Sequence, residues 1–134
     1  MERNIIEKTI ITLPSSFRKV LEAINSNKLG IVFIADDKGC LVGSITDGDI
    51  RRALLKGVNL EEDITIDSKA VNRKPSSLPF ESDIQEILDC LDQKHVPYAA
   101  HIRCVPLLDS KGKIIDISTR SCLRQFPIFQ PGIG

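Results

Sequence analysis

The chain has 134 residues, 42% of them hydrophobic and 27% charged, with 18 Lys+Arg against 18 Asp+Glu. A length in the range of one ordinary domain needs no disulfide or metal to hold its core. The zero net charge excludes a nucleic-acid module that works through a basic field, and five Phe, one Tyr and no Trp leave little for base stacking.

The first segment, Met1–Leu13, mixes charged and β-branched residues. It lacks the apolar h-region and small-residue cleavage site of a signal peptide, and no run reaches the roughly 18–20 apolar residues of a membrane span. The expectation is a cytoplasmic protein without a membrane segment. Cys40, Cys90, Cys104 and Cys122 lie far apart and read as reduced thiols.

A short strand is expected over Thr9–Leu13. Ser15–Ser16 caps a helix whose Phe17, Val20, Leu21 and Ile24 share one face. Gly30–Thr46 (GIVFIADDKGCLVGSIT) then reads as strand, turn, strand, with Asp-Lys-Gly as the turn. A second helix is predicted over Gly48–Lys56, stopped by Gly57. The stretch 58–79 is polar and reads as a linker, with one extended piece near Asp63–Ile66. Ser82–Asp83 caps another helix, with Ile84, Ile87, Leu88 and Leu91 on one face.

Arg103–Thr119 (RCVPLLDSKGKIIDIST) repeats Gly30–Thr46 without a gap at an offset of 73. Val32/Val105, Asp36/Asp109, Lys38/Lys111, Gly39/Gly112 and Thr46/Thr119 are identical. The helices align at offset 67, so the second copy carries about six more residues between helix and strand, within Val96–Ile102. The fold class is α+β: two β-α-β-β-α repeats packed in pseudo-twofold fashion, because neither half alone covers both faces of its sheet. The boundaries read as 1–57 for the first repeat, 58–79 for the linker, 80–124 for the second repeat and 125–134 for an interdomain tail.

The most chemically pointed segment is Gly43–Arg52, GSITDGDIRR, where a strand feeds directly into a helix. Such a helix start exposes N–H groups and favours anions. Ser44 and Thr46 alternate with Ile45, so their hydroxyls share one face. Gly48 permits close approach to the backbone. Asp49 offers two acceptors suited to adjacent sugar hydroxyls, and Arg51 and Arg52 are candidates for a phosphate. The same residues also make a structural set. Thr46-x-x-Asp49 resembles a capping box, Asp47 and Asp49 complement the helix dipole, and Asp49 and Arg52 are spaced for an ion pair. Spacing alone leaves both readings open.

Cys90, His95, His101 and Cys104 lack the tight pairing of a zinc site, and Cys90 and Cys104 fall on core faces, so no metal is assigned. Cys40, expected at an exposed strand start, has no partner signature for nucleophilic catalysis. No catalytic residue is assigned.

The repeat, and above all GSITDGDIRRALLKG from Gly43 to Gly57, resembles a tandem CBS (cystathionine β-synthase-type) domain pair. The family signature G-x-[hydrophobic]-[S/T]-x-x-D is met by Gly43, Ile45, Thr46 and Asp49. The resemblance spans about Met1–Leu123. It implies that Asp49 binds the ribose of an adenine nucleotide and Thr46 its phosphate. It also implies that backbone at Gly30 and Ile31 lines the base. The second copy departs from the signature: Asp116 replaces Gly43, Arg120–Ser121 replace Asp47–Gly48 and Cys122 replaces Asp49, while Thr119 and Arg124 correspond to Thr46 and Arg51. At most one well-formed nucleotide site per chain is expected.

The TDGDIRR run is most similar to CBS pairs attached to bacterial sugar-nucleotide biosynthetic enzymes. Phe126–Gly134 weakly resembles the opening of PLP-dependent sugar aminotransferases, with a sugar nucleotidyltransferase as the other candidate neighbour. The implied protein is a non-catalytic regulatory module without a covalently bound cofactor. It senses an adenine nucleotide (AMP, ADP or ATP-like), acts on a catalytic domain beyond Gly134, and forms a homodimer. The alternative is a ligand-free structural or oligomerisation module.

Overall fold

The computed structural model describes residues 3–91 and 104–119. The elements in chain order are α1 (Arg3–Thr9), β1 (Ile10–Ile11), β2 (Ser15–Ser16), α2 (Phe17–Asn27), β3 (Ile31–Ala35), β4 (Leu41–Thr46), α3 (Asp47–Leu55), β5 (Asp63–Ile64), β6 (Leu78–Pro79), α4 (Ile84–Leu91), β7 (Cys104–Leu108) and β8 (Ile114–Thr119).

Two three-stranded sheets carry the fold, ordered β1-β3-β4 and β6-β7-β8. In each, a short first strand pairs parallel with the second, and the second pairs antiparallel with the third. The two β-hairpins share their irregularity as well: the register shifts at Ile34/Ala35 in one and at Leu107/Leu108 in the other. Both turns are built alike. Asp36 Oδ1 accepts the N–H of Lys38 and Cys40 at 2.9 Å. Asp109 Oδ1 accepts those of Lys111 and Lys113 at 2.8 and 2.9 Å. Gly39 and Gly112 follow at φ 85° and 87°, a backbone that L side chains rarely adopt.

The two turns meet. Leu41 N–H donates to Gly112 O, and Ile114 N–H donates to Gly39 O, each at 3.0 Å. Each bond maps onto the other at the repeat offset, and the isolated antiparallel bridge Cys40↔Lys113 lies between them. The pseudo-twofold axis therefore passes through this bridge. Cys40, expected to be exposed, is half-buried on the axis, because the second hairpin covers it.

Strand alternation sends opposite faces to different cores. Val32, Ile34 and Ile45 face α2 and α3 and pack with Phe17, Val20, Ile24 and Ile50. Val105 and Leu107 pack with Ile87, Cys90 and Leu91 of α4. The remaining faces meet each other: Phe33 and Ala35 join Cys104, Ile114 and Ile117 in a third cluster, with Ile6, Ile10 and Ile31 against it. This shared cluster is the seam between the repeats.

Several expectations are corrected. Thr9–Leu13 is not one strand. A helix occupies Arg3–Thr9 and only Ile10–Ile11 pair with β3. Thr9 Oγ1 donates back to Ile5 O at 2.6 Å, and the Asn27 amide donates to Lys8 O at 3.3 Å, which ties the helix end to α2. The helix expected over Gly48–Lys56 is Asp47–Leu55, because Thr46 is already its N-cap. The extended piece near Asp63–Ile66 is only Asp63–Ile64, paired antiparallel with Ser15–Ser16. The segment 58–79, read as a linker, is packed: Ile64, Ala70 and Val71 enter the first core, and Leu78–Pro79 form the first strand of the second sheet. The caps stand as read: Ser16 Oγ accepts Lys19 N–H at 3.1 Å, and Asp83 Oδ1 accepts Glu86 N–H at 2.8 Å. The region 96–102, the helix expected after Thr119 and the tail 125–134 lie outside the described residues.

Candidate functional site

The strand-to-helix junction collects most of the residues singled out. β4 runs opposite β3, so Ile31 pairs with Thr46, and Asp47 N–H donates to Gly30 O at 2.9 Å. Gly30, Ile31, Thr46 and Asp47 are thereby one contiguous patch. Thr46 and Ser44 share the seam face with Ile31 and Phe33, as alternation requires. Ser44 lies two residues deeper and is 3% exposed. Thr119 occupies the matching position in the second hairpin, opposite Cys104, and is buried.

The junction is internally bonded. Thr46 Oγ1 accepts Asp49 N–H at 3.1 Å, while Asp49 Oδ2 accepts the N–H and the O–H of Thr46, each at 2.9 Å. This is a complete capping box with Asp in place of Glu. Arg52 Nη2 reaches Asp49 Oδ1 at 2.7 Å, and Arg51 Nη2 reaches Asp47 Oδ2 at 2.6 Å. The two arginines are exposed, whereas the Asp49 side chain is only 22% exposed. The structural set that the spacing allowed is thus formed. Both oxygens of Asp49 have partners within α3 and its cap.

Two glycines gain specific roles. A Cβ on Gly43 would lie 3.0 Å from Val71 Cγ1 and 3.1 Å from Asn72 O. The segment bearing Asn72 presses against β4 here, and Ser44 and Asn72 exchange both backbone hydrogen bonds at 2.9 Å. Asn72 was not singled out from the sequence; a single bridge inside a polar stretch leaves no periodic signal. A Cβ on Gly48 would meet Arg52 Nη1 at 3.3 Å. The group that approaches Gly48 closely is therefore the Arg52 guanidinium.

Two open grooves lie elsewhere. One of about 590 Å³ is bounded by Arg3, Ile6, Glu7, Phe80, Ile114, Ile115 and Asp116, and one of about 300 Å³ by residues 77–79, Glu81 and Leu108–Ser110. Neither is lined by the Thr46–Arg52 segment. Among the described residues, no group of three or more His, Cys, Asp and Glu is placed to hold a metal. His95 and His101 lie outside the described residues; Cys90 and Cys104 are buried core residues, and burial pushes the Cys90 thiol pKa up. Among the described residues no helix is long and apolar enough to cross a membrane.

The repeated sheet-and-hairpin unit, joined face to face about a pseudo-twofold axis, is the fold of a CBS domain pair. Residues 2–56 match the CBS domain family. Its fold is that of the CBS domain pair of protein MJ0100, solved in complex with 5′-methylthioadenosine and S-adenosyl-L-methionine. The TM-score to that structure is 0.64 at 21% identity, covering 92% of this chain and 95% of that one. Hypoxic Response Protein I with two coordinated zinc ions gives a TM-score of 0.69 at 20% identity, over 89% and 91% of the two chains. In sequence, the chain is 37% identical over 87 residues to the arabinose 5-phosphate isomerase KpsF of Escherichia coli, covering 63% of this chain and 25% of that protein. It is 28% identical over 109 residues to a Helicobacter pylori protein, covering 81% and 30%. The chain thus spans between a quarter and a third of the length of these relatives.

CBS domains are non-catalytic and regulatory, which agrees with a reading that assigns no catalytic residue. The comparisons support a likeness to sugar-enzyme-associated CBS modules and not specifically the expected tie to nucleotidyltransferases or PLP-dependent aminotransferases. The relatives named for an activity are sugar-phosphate isomerases. The tail resemblance behind that expectation rested on only nine residues.

Proposed function

We propose that the chain is a regulatory module that binds an adenine nucleotide at the seam between its repeats and modulates an attached sugar-metabolising enzyme. One observation carries the reading: backbone at Gly30–Ile31 and the Thr46–Asp49 helix start converge at one end of the seam face. A phosphate favours a helix N-terminus, and a sugar hydroxyl favours a carboxylate acceptor. In this reading Gly30 and Ile31 line the base, Asp49 takes the ribose, and Thr46, Arg51 and Arg52 face the phosphate. Ser44 and Thr119 shape the seam beneath. The adenosine-derived ligands of the MJ0100 pair support the ligand class, and the likeness to KpsF supports a sugar-phosphate isomerase as the attached enzyme.

Regulation would be a population shift: the nucleotide favours whichever arrangement of the repeats it binds better, and the attached domain or a homodimer contact reports it. A second reading is a ligand-free structural or oligomerisation module. The filled hydrogen bonding of Asp49 favours it. Calorimetric titration with AMP, ADP, ATP and S-adenosylmethionine separates the two. Saturable heat with at least one of them is expected. No heat and no thermal shift at millimolar concentration, together with a ligand-independent dimer in sedimentation, would leave the structural module.

A further inference from the structure

We infer that Arg52 is a built-in competitor for the ribose acceptor, so that the site discriminates nucleotides from nucleosides by exchanging one ion pair for another. This rests on the nucleotide-binding reading above. The two oxygens of Asp49 are not equivalent. Oδ2 is committed to the cap, taking both the N–H and the O–H of Thr46 at 2.9 Å. Oδ1 is held by Arg52 Nη2 at 2.7 Å. A sugar hydroxyl that approaches this carboxylate meets an occupied Oδ1, and Arg52 is the movable partner. Its side chain is 61% exposed and long, whereas the cap is fixed by backbone.

The guanidinium has a seat. It lies over Gly48, where a Cβ would stand 3.3 Å from Nη1 and 3.6 Å from Nη2. Displaced from Asp49, it remains beside the first turn of α3, the place where a phosphate collects N–H groups and positive dipole. A ligand carrying a phosphate gives Arg52 a new partner for the one it loses. A nucleoside takes Oδ1 and leaves Arg52 with water alone. Arg51 provides the internal contrast: it pairs with Asp47 rather than with Asp49, so its removal frees no ribose acceptor.

The test is calorimetry on the 134-residue chain with adenosine and with AMP, for the wild type, Arg52→Ala and Arg51→Ala. An exposed ion pair of this kind corresponds to a factor of about two to five in affinity. Arg52→Ala should bind adenosine tighter by about that factor and AMP weaker by at least as much. Arg51→Ala removes a phosphate partner without freeing Asp49, so it should weaken AMP and not tighten adenosine. If the wild type binds AMP but Arg52→Ala shifts both ligands in the same direction, or shifts neither, the competition is refuted and the nucleotide reading stands. If no variant binds either ligand, the nucleotide reading falls and takes the competition with it.

Discussion

Removing the Asp49 carboxylate tests both roles assigned to the junction. In Asp49→Ala the N–H and O–H of Thr46 lose their acceptor, Arg52 loses its partner, and the first turn of α3 loses a negative charge at its positive end. Loss of a capping residue costs about 0.5–2 kcal/mol, the dipole contributes about 0.3–1 kcal/mol, and the exposed Arg52 pair adds little. A total of about 1–2 kcal/mol is expected. For a chain of this size, 1 kcal/mol moves Tm by roughly 3–5 °C, so the variant should melt about 3–10 °C lower. Asp49→Asn keeps one carbonyl acceptor for Thr46 and should lose less than half as much. Scanning fluorimetry or calorimetry with AMP then reads the second role. At one hundred times Kd a ligand stabilises by about 2.7 kcal/mol, which is roughly 8–13 °C, and that shift should vanish in both variants. An Asp49→Ala chain melting within about 1 °C of the wild type would refute the capping argument. An undiminished AMP shift in it would refute the carboxylate as ribose acceptor.

The two close-packed glycines should behave oppositely in urea denaturation. Gly43→Ala drives a Cβ against Val71 Cγ1 and the Asn72 carbonyl, at 3.0 and 3.1 Å, and should cost about 1–3 kcal/mol because the second obstacle is backbone. Gly48→Ala presses on the movable end of the Arg52 side chain, touches Thr46 Oγ1 at an ordinary 3.7 Å and removes a helical glycine, so it should be neutral or stabilising by up to about 1 kcal/mol. Asp109 governs an acid limb. The N–H of Lys113 is the largest cause holding its carboxyl below its ordinary pKa; burial opposes it, and the N–H of Lys111 with the charges of both lysines tips the balance further down. A depressed folded-state pKa contributes stability that is present above the unfolded value and is lost as pH falls through the folded one. Asp109→Asn should therefore flatten the decline of Tm below about pH 4 while leaving its slope at neutral pH unchanged.

The repeat was legible because it is written in turn chemistry. Asp36 and Asp109 each serve two N–H groups in their turns, and Gly39 and Gly112 each take a positive φ, so the residues cannot vary freely. The helix caps were legible for the same reason. What escaped was held by isolated tertiary contacts. Ile64 and the pair Ala70–Val71 stand without periodicity in a polar stretch, and only the first core shows why they are apolar. The strand expected over Thr9–Leu13 gave way to a helix because Thr9 bonds back to Ile5 and Asn27 reaches Lys8, contacts with no sequence period. At the site, the sequence presented two functions for one pattern. Thr at the cap and Asp three residues later serve a helix start and a nucleotide equally well, and the geometry shows the first use already made.

The difference between the repeats is physical as well as sequential. Ser44 N–H, on the outer edge of β4, is satisfied by Asn72 O at 2.9 Å, and the approach of that segment requires Gly43. Its counterpart, Ile117 N–H on β8, instead donates to Asp116 Oδ1 at 2.7 Å. Asp116 stands where the first copy has glycine. A side chain there is incompatible with a strand packed as closely as Asn72 is. The Asp116 carboxylate itself supplies the acceptor for that N–H. In its described residues the second repeat keeps the β-hairpin and the seam. A ligand bound at the junction of the first repeat would bear on one half of the seam cluster, where Phe33 and Ala35 meet Cys104, Ile114 and Ile117. Under the proposed function, that asymmetry would let a single binding event change how the halves pack.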